Sequence, residues 1–131
     1  MNQPRGNNNV MYIPASIGEL IDKITILEIK MAHMTDRKLE NVERELKYLR
    51  EVYVENSLDV AIDLINNLKS VNMRLWDIED RIRLKESQGQ FDDDFINLAR
   101  SVYIENDKRS CLKKEINNKY SSGIIEEKSY S

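Results

Sequence analysis

Asn72, Trp76, Glu79 and Arg83 recur at three- and four-residue spacing, which places a carboxamide, an indole, a carboxylate and a guanidinium along one side of a single helix. Polar groups beside an apolar seam can do one of two things. They can fix helix register and partner choice, as polar seam residues do in coiled coils, or they can line a pocket in which an aromatic wall and arginines hold an anion. The following helix answers this stripe, because Asn106 and Arg109 interrupt its apolar spacing between Val102 and Leu112. With a turn near Gly89 and Gln90, residues facing each other across an antiparallel pair have numbers that sum to roughly 180, so Arg109 is expected beside Asn72 and Arg100 beside Asp80. The candidate ligand-binding set is therefore Asn72, Trp76, Glu79, Arg83, Asn106 and Arg109, with Tyr103 as a second stacking wall. Register keeping is the plainer reading of the same residues, since buried charges are costly unless they are paired.

A second constellation is acidic. Glu19 and Asp22 are three residues apart, and Glu79 and Asp80 follow Asp77 in a later acidic run. Carboxylates at helical spacing share a face and can chelate a magnesium ion, so the candidate metal set is Glu19, Asp22, Glu79 and Asp80. All-helical nucleotide pyrophosphatases are built on such pairs, and this arrangement is loosely similar to theirs. Against it, 33% of the residues are charged, a composition in which such pairs arise by chance. The helix pattern also loosely resembles the all-helical chorismate mutases, which hold a dicarboxylate with Arg and Lys, but the first helix offers Lys23 and Lys30 and no arginine. The expectation is no cofactor, with Mg²⁺ only under the acidic alternative.

Single residues narrow the chemistry further. His33 is the only histidine and Cys111 the only cysteine, which rules out multi-histidine and cysteine-rich zinc sites and any intrachain disulfide. Cys111 reads as a small buried hydrophobe in a protein of the reducing cytoplasm. Lys108, Arg109, Lys113, Lys114 and Lys119 read as a solvated helix end with cations where the helix dipole favours them. With 20 Lys and Arg against 23 Asp and Glu, no net field draws the chain to nucleic acid or anionic lipid. No apolar run reaches the roughly 20 residues a membrane span needs.

The elements that must position these groups are helices. Gly numbers 4 and Pro 2 in 131 residues, a balance that disfavours strands and long loops. Pro14 ends a short extended lead, and Ser16 with Glu19 forms a capping box. From there Ile17, Ile24 and Met31 recur at sevens, as do Leu20, Leu27 and Met34, one seam of a coiled-coil-like packing. A second seam, Leu39, Val42, Leu46, Leu49 and Tyr53, is out of step with the first and predicts a break near Thr35 and Asp36; one long bent helix is the alternative. Asn56 and Ser57 offer caps for a third helix with seam Ala61, Leu64, Leu68, Val71, Leu75, Ile78 and Ile82. Gly89 ends it, and Asp92 caps a fourth helix. The reading is an all-α protein, an antiparallel helical bundle with a long coiled-coil-like hairpin of the third and fourth helices. Residues 1–9 are a disordered tail, and residues 10–120 form a single domain with helices at about 16–34, 36–55, 58–88 and 93–120. Residues 121–131 form a tail that packs on the bundle through Ile124, Ile125 and Tyr130.

The strings SIGELIDKITILEIK at 16–30, VNMRLWDIEDRIR at 71–83 and LARSVYIENDKR at 98–109, with the closing EEKSY, resemble a small uncharacterised family of bacteria and tailed phages. The resemblance spans residues 13–130 and implies no activity. Its motifs fall on the start of the first helix and on the polar stripe, which favours a site there. The functional expectation is a non-enzymatic helical interaction or assembly module, a homodimer or a partner of another protein, in the cytoplasm or host cytoplasm. The alternative is an enzyme or small-ligand binder that uses the polar cluster.

Overall fold

The computed structural model describes residues 9–128, and within them every regular element is helical. The helices are α1 (Ile17–His33), α2 (Asp36–Glu55), α3 (Ile62–Ser87) and α4 (Asp93–Lys119). Except for Asn9, the disordered tail expected at 1–9 lies outside the described residues, as does Tyr130. No described helix is long and apolar enough to cross a membrane.

The break between α1 and α2 is real. Met34 and Thr35 are extended, and Asp36 opens α2 with φ of 56°, a left-handed conformation that a short polar side chain tolerates. The two helices fold into an antiparallel hairpin sealed by Leu27, Val42 and Leu46, with Ile24, Met31, Met34 and Leu49 against them. These are the residues of the two out-of-step sevenfold seams.

The α3–α4 hairpin is closed by a Schellman turn. Gly89 takes φ of 64°, and its N–H donates to the Glu86 carbonyl at 3.0 Å while the Gln90 N–H reaches the Lys85 carbonyl at 2.9 Å. Asp92 then caps α4 by accepting from the Phe95 N–H at 3.0 Å. Facing residues sum to near 180: Arg74 Nε donates to Glu105 Oε2 at 3.1 Å, and Lys85 pairs with Asp92 at 2.8 Å.

α3 starts four residues later than the sequence predicts, because Asn56 and Ser57 end α2 instead of starting α3. Ser57 has φ of 53°, and the Leu58 N–H bonds the Tyr53 carbonyl at 3.2 Å, a second Schellman closure built on a serine. The chain then runs without helix to Ala61. Its N–H groups are taken up by phenols: Val60 donates to the Tyr53 hydroxyl at 2.9 Å and Ala61 to that of Tyr120 at 2.7 Å.

α1 is the centre. It packs against α2, α3 and α4, whereas α2 meets no helix but α1. A helix with apolar residues on more than one side must be enclosed, and α1 uses Ile24, Leu27 and Met31 toward α2 while turning Gly18, Ile21, Asp22 and Thr25 toward α3 and α4. The core on that second side joins Ile21 to Val60, Leu64, Leu68 and Ile116. Its 17 residues span about 25 Å against about 39 Å for the 26 of α3, so α1 covers the open half of the hairpin and stops short of the turn.

The start of α1 is pressed onto α4. A methyl group at Gly18 would lie 2.6 Å from the Lys113 carbonyl oxygen, and the Gly18 N–H donates to Asn117 Oδ1 at 2.6 Å. Ser16 caps α1 by accepting from the Glu19 N–H at 3.0 Å, but the glutamate does not complete the box; its carboxylate pairs with Lys113 and Lys23. The tail after α4 returns over this junction, with Glu126 accepting from Ser16 and pairing with Lys113 at 2.9 Å. Charged contacts tie this tail to the junction, while Ile124 and Ile125 stay 41% and 40% exposed.

Gly18→Ala decides whether the contact is tight. On an open helix surface alanine would stabilise by about 1 kcal/mol; here it should destabilise by about 1–3 kcal/mol in urea unfolding, because backbone blocks the methyl group.

Candidate functional site

Asp22 is the most deeply buried charge at the helix junction, with no exposed surface. Arg109 of α4 grips it with two parallel bonds, Nε to Oδ1 at 2.9 Å and Nη2 to Oδ2. Asn72 of α3 donates from Nδ2 to the same Oδ1 at 2.9 Å and to Thr25 Oγ1 at 2.9 Å. The Thr25 hydroxyl donates to the Asp22 backbone carbonyl at 2.8 Å, so the cluster is closed by donors from all three helices. The bond to Asp22 holds the Arg109 pKa above the ordinary arginine value despite partial burial, and the guanidinium is a fixed cation. Arg109 and Asn72 do meet, as the numbering rule requires, and they meet on Asp22.

Five of the six sequence-predicted ligand residues, Asn72, Trp76, Glu79, Arg83 and Arg109, line one groove of about 490 Å³, where Ile26, Ile29 and Lys30 form the α1 wall. The sixth, Asn106, is half-buried and lies outside the lining. Tyr103 is 60% exposed and forms no wall of the groove, because it projects from the side of α4 turned away from α3. Arg100 and Asp80 form no ion pair among the described residues, although Asp80 reaches the groove.

The groove contains groups without partners. Trp76 Nε1 is shielded from solvent and has no acceptor among the described residues, a deficit worth about 1–3 kcal/mol. His33, exposed at the end of α1, lies against the indole with ring centroids 4.6 Å apart. Its Nδ1 donates to the Ile29 carbonyl at 2.9 Å, which leaves Nε2 free of that role. Of the acid-before-base pairs along α3, Asp77 and Arg81 close to 3.7 Å, whereas Glu79 and Arg83 make no ion pair among the described residues. Neither do Lys30 and Asp80.

The acidic set is not brought together. Glu19 pairs with Lys113 and Asp22 with Arg109 near the open end, while Glu79 and Asp80 lie along α3 in the groove. Among the described residues there is no group of three His, Cys, Asp or Glu able to hold a metal. Cys111 is exposed, not buried as its type suggests.

A family model matches residues 11–131. The chain belongs to the family of unknown function DUF6165. No curated protein and no solved structure matches it. Within this member of DUF6165, sequence reasoning missed three participants: Thr25, Lys30 and the pairing of Asp22 with Arg109. A usable signal was present, since Gly18, Asp22, Thr25 and Ile29 recur at four, three and four residues on the side of α1 opposite the sevenfold seam.

Two further ion pairs set the acid response. Burial pushes the Glu126 carboxyl up, but the Ser16 hydroxyl and Lys113 outweigh it and hold the pKa below its ordinary 4.5. Glu105 behaves alike: burial raises it, and Arg74 and Lys108 more than compensate. Carboxylates with depressed folded values stabilise fully above the unfolded value and lose that stabilisation as pH falls through the folded one. Melting temperatures should therefore fall more steeply for the native chain than for Glu126→Gln as the pH drops from 4.5 through the lower folded value of Glu126.

Truncating Arg109 strands a charge with no exposed surface, so Arg109→Met should cost about 3–5 kcal/mol in denaturant unfolding, and Asp22→Asn in the Arg109→Met background should recover part of it. An additive double variant would show that the two do not act as a pair.

Proposed function

We propose that this chain is a non-enzymatic binding module whose α1–α3 groove takes a charged ligand, with the Asp22 cluster fixing the helix register that shapes it. The observation that carries the reading is Trp76, whose indole N–H is dry and unpaired at the wall of the groove. Buried polar groups in folded proteins are overwhelmingly paired, and an orphan beside a groove is where a ligand acceptor gains most. Asp22, the deeply buried carboxylate held by two of the groove residues, is read as structural, since both its oxygens are engaged by Arg109 and Asn72. A base already committed to a fixed cation has no proton to move.

The second reading is self-association through the far end of the α3–α4 hairpin, supported by exposed Leu84, Phe91 and Ile96 at 57%, 63% and 45%. A bacterial or phage cytosol suits an exposed free thiol at Cys111; the motifs that suggest that source include much of α1.

Trp76 is the sole tryptophan, so intrinsic fluorescence reports the groove directly. A screen of phosphate, nucleotides, dicarboxylates and amino acids should yield a compound that both changes Trp76 emission and raises Tm, by an amount equivalent to about 2.7 kcal/mol at a hundred times Kd. Trp76→Phe and Arg83→Met should remove the Tm response while leaving the unliganded Tm within about 1 kcal/mol equivalent. A stabilising ligand that leaves Trp76 emission unchanged would locate binding elsewhere.

A further inference from the structure

The charges in the groove are not mixed at random. α1 runs in the same direction as α3, with Thr25 against Asn72 and His33 against Trp76. That register sets Lys30 level with the segment between Asn72 and Trp76, where Arg109 also reaches in from α4. Arg109 uses Nε and Nη2 on Asp22, which leaves Nη1 with two N–H groups and no partner among the described residues. The inner end of the groove therefore gathers the Lys30 ammonium, a spare guanidinium edge and the indole N–H, all donors. One turn farther along α3 come the exposed Glu79 and Asp80, both acceptors and neither in an ion pair among the described residues, and Arg83 follows them, so that end sets two acids against one base. Leu75 and Trp76 supply the apolar wall of α3 that leads from Asn72 toward Glu79.

We infer that the ligand is a small zwitterion, with a carboxylate or phosphate at the Lys30–Arg109 end and an ammonium at the Glu79–Asp80 end, joined by a short apolar stem. The inference rests on the groove being a ligand site and adds the chemical class. From the middle of the Asn72–Trp76 segment to Glu79 and Asp80 is about five residues, roughly 8 Å along the helix axis, which sets the distance between the two charged groups of the ligand. A lone anion would meet donors at one end and leave it facing acids at the other, and a lone cation has the mirror problem. A molecule carrying both signs answers the donors of one end and the acids of the other.

An isosteric series tests this: 5-aminopentanoate, pentanoate and pentylammonium share one carbon chain and differ only in charge. Titrated into the native protein and followed by Trp76 emission and by Tm, 5-aminopentanoate should act at concentrations about tenfold or more lower than either singly charged analogue. Lys30→Met should abolish its advantage over pentylammonium, and Glu79→Gln its advantage over pentanoate, with the unliganded Tm unchanged in both because these side chains make no ion pair among the described residues. If pentanoate acts as well as 5-aminopentanoate, the zwitterion is wrong and the groove remains a site for anions. Binding of 5-aminopentanoate that ignores both substitutions overturns the assignment, as does silence from all three compounds while another compound of the wider screen still alters Trp76 emission and Tm. Silence across the screen as well removes the groove itself.

Discussion

A carboxylate with no access to water must be matched by donors whose positions are fixed, and in this fold that demand falls on Asp22. Arg109 and Asn72 come from different helices, so the requirement ties α1, α3 and α4 at one level. Apolar contacts around Leu68 and Ile116 supply most of the driving force for packing, but they are tolerant of small slides along a helix axis. Hydrogen bonds to Asp22 are not, because a shift of one residue would take the guanidinium out of reach. The cluster thus sets where α1 sits along the hairpin, and through that where it ends.

The start of α1 enforces the same position from the other side. Only a glycine lets the helix backbone approach the Lys113 carbonyl as closely as Gly18 does, and the gap is bridged by Asn117 and covered by the Glu126 strap. Burial opposes the charge on Lys113, but bonds to Glu19 and Glu126 hold its pKa above the ordinary lysine value. Three elements distant in sequence, residues 16–19, 113–117 and 122–126, are therefore interdependent. Close packing and paired charge work together here, since the short approach keeps the ion pairs partly out of water, where they weaken least.

The fold was legible because its seams obey sevenfold spacing. Leu27, Val42 and Leu46 pack as that spacing requires, and Gly89 and Asp92 end and start helices for local stereochemical reasons that need no tertiary information. The late start of α3 was not legible, because Ser57 adopts a conformation for which glycine is the usual signal. The polar stripe of α3 identified one wall of the groove, since i, i+3 and i+4 geometry is local. What α1 contributes could not be read from the heptads alone: Ile24, Leu27 and Met31 of its sevenfold seam pack against α2, whereas Asp22 and Thr25 bond Asn72, and Ile26, Ile29 and Lys30 wall the groove. Asp22 was readable as an acid but not as the partner of Arg109, because pairing across 87 residues depends on the assembled register.

The two ends of α1 differ in how their polar groups are matched. Where α1 is flanked by both α3 and α4, its polar groups are matched closely: Ser16, Glu19, Asp22 and Thr25 all have partners. Toward its C-terminus, where α3 continues beyond His33, Lys30, Trp76 Nε1, Glu79, Asp80 and Arg83 are left unmatched along one groove. Glu79, Asp80 and Arg83 are exposed and keep their hydration, so leaving them unpaired costs little, whereas the charge of Asp22 has no water and must be matched by protein; the pairing that fixes the register is therefore concentrated where α1 is flanked by both helices.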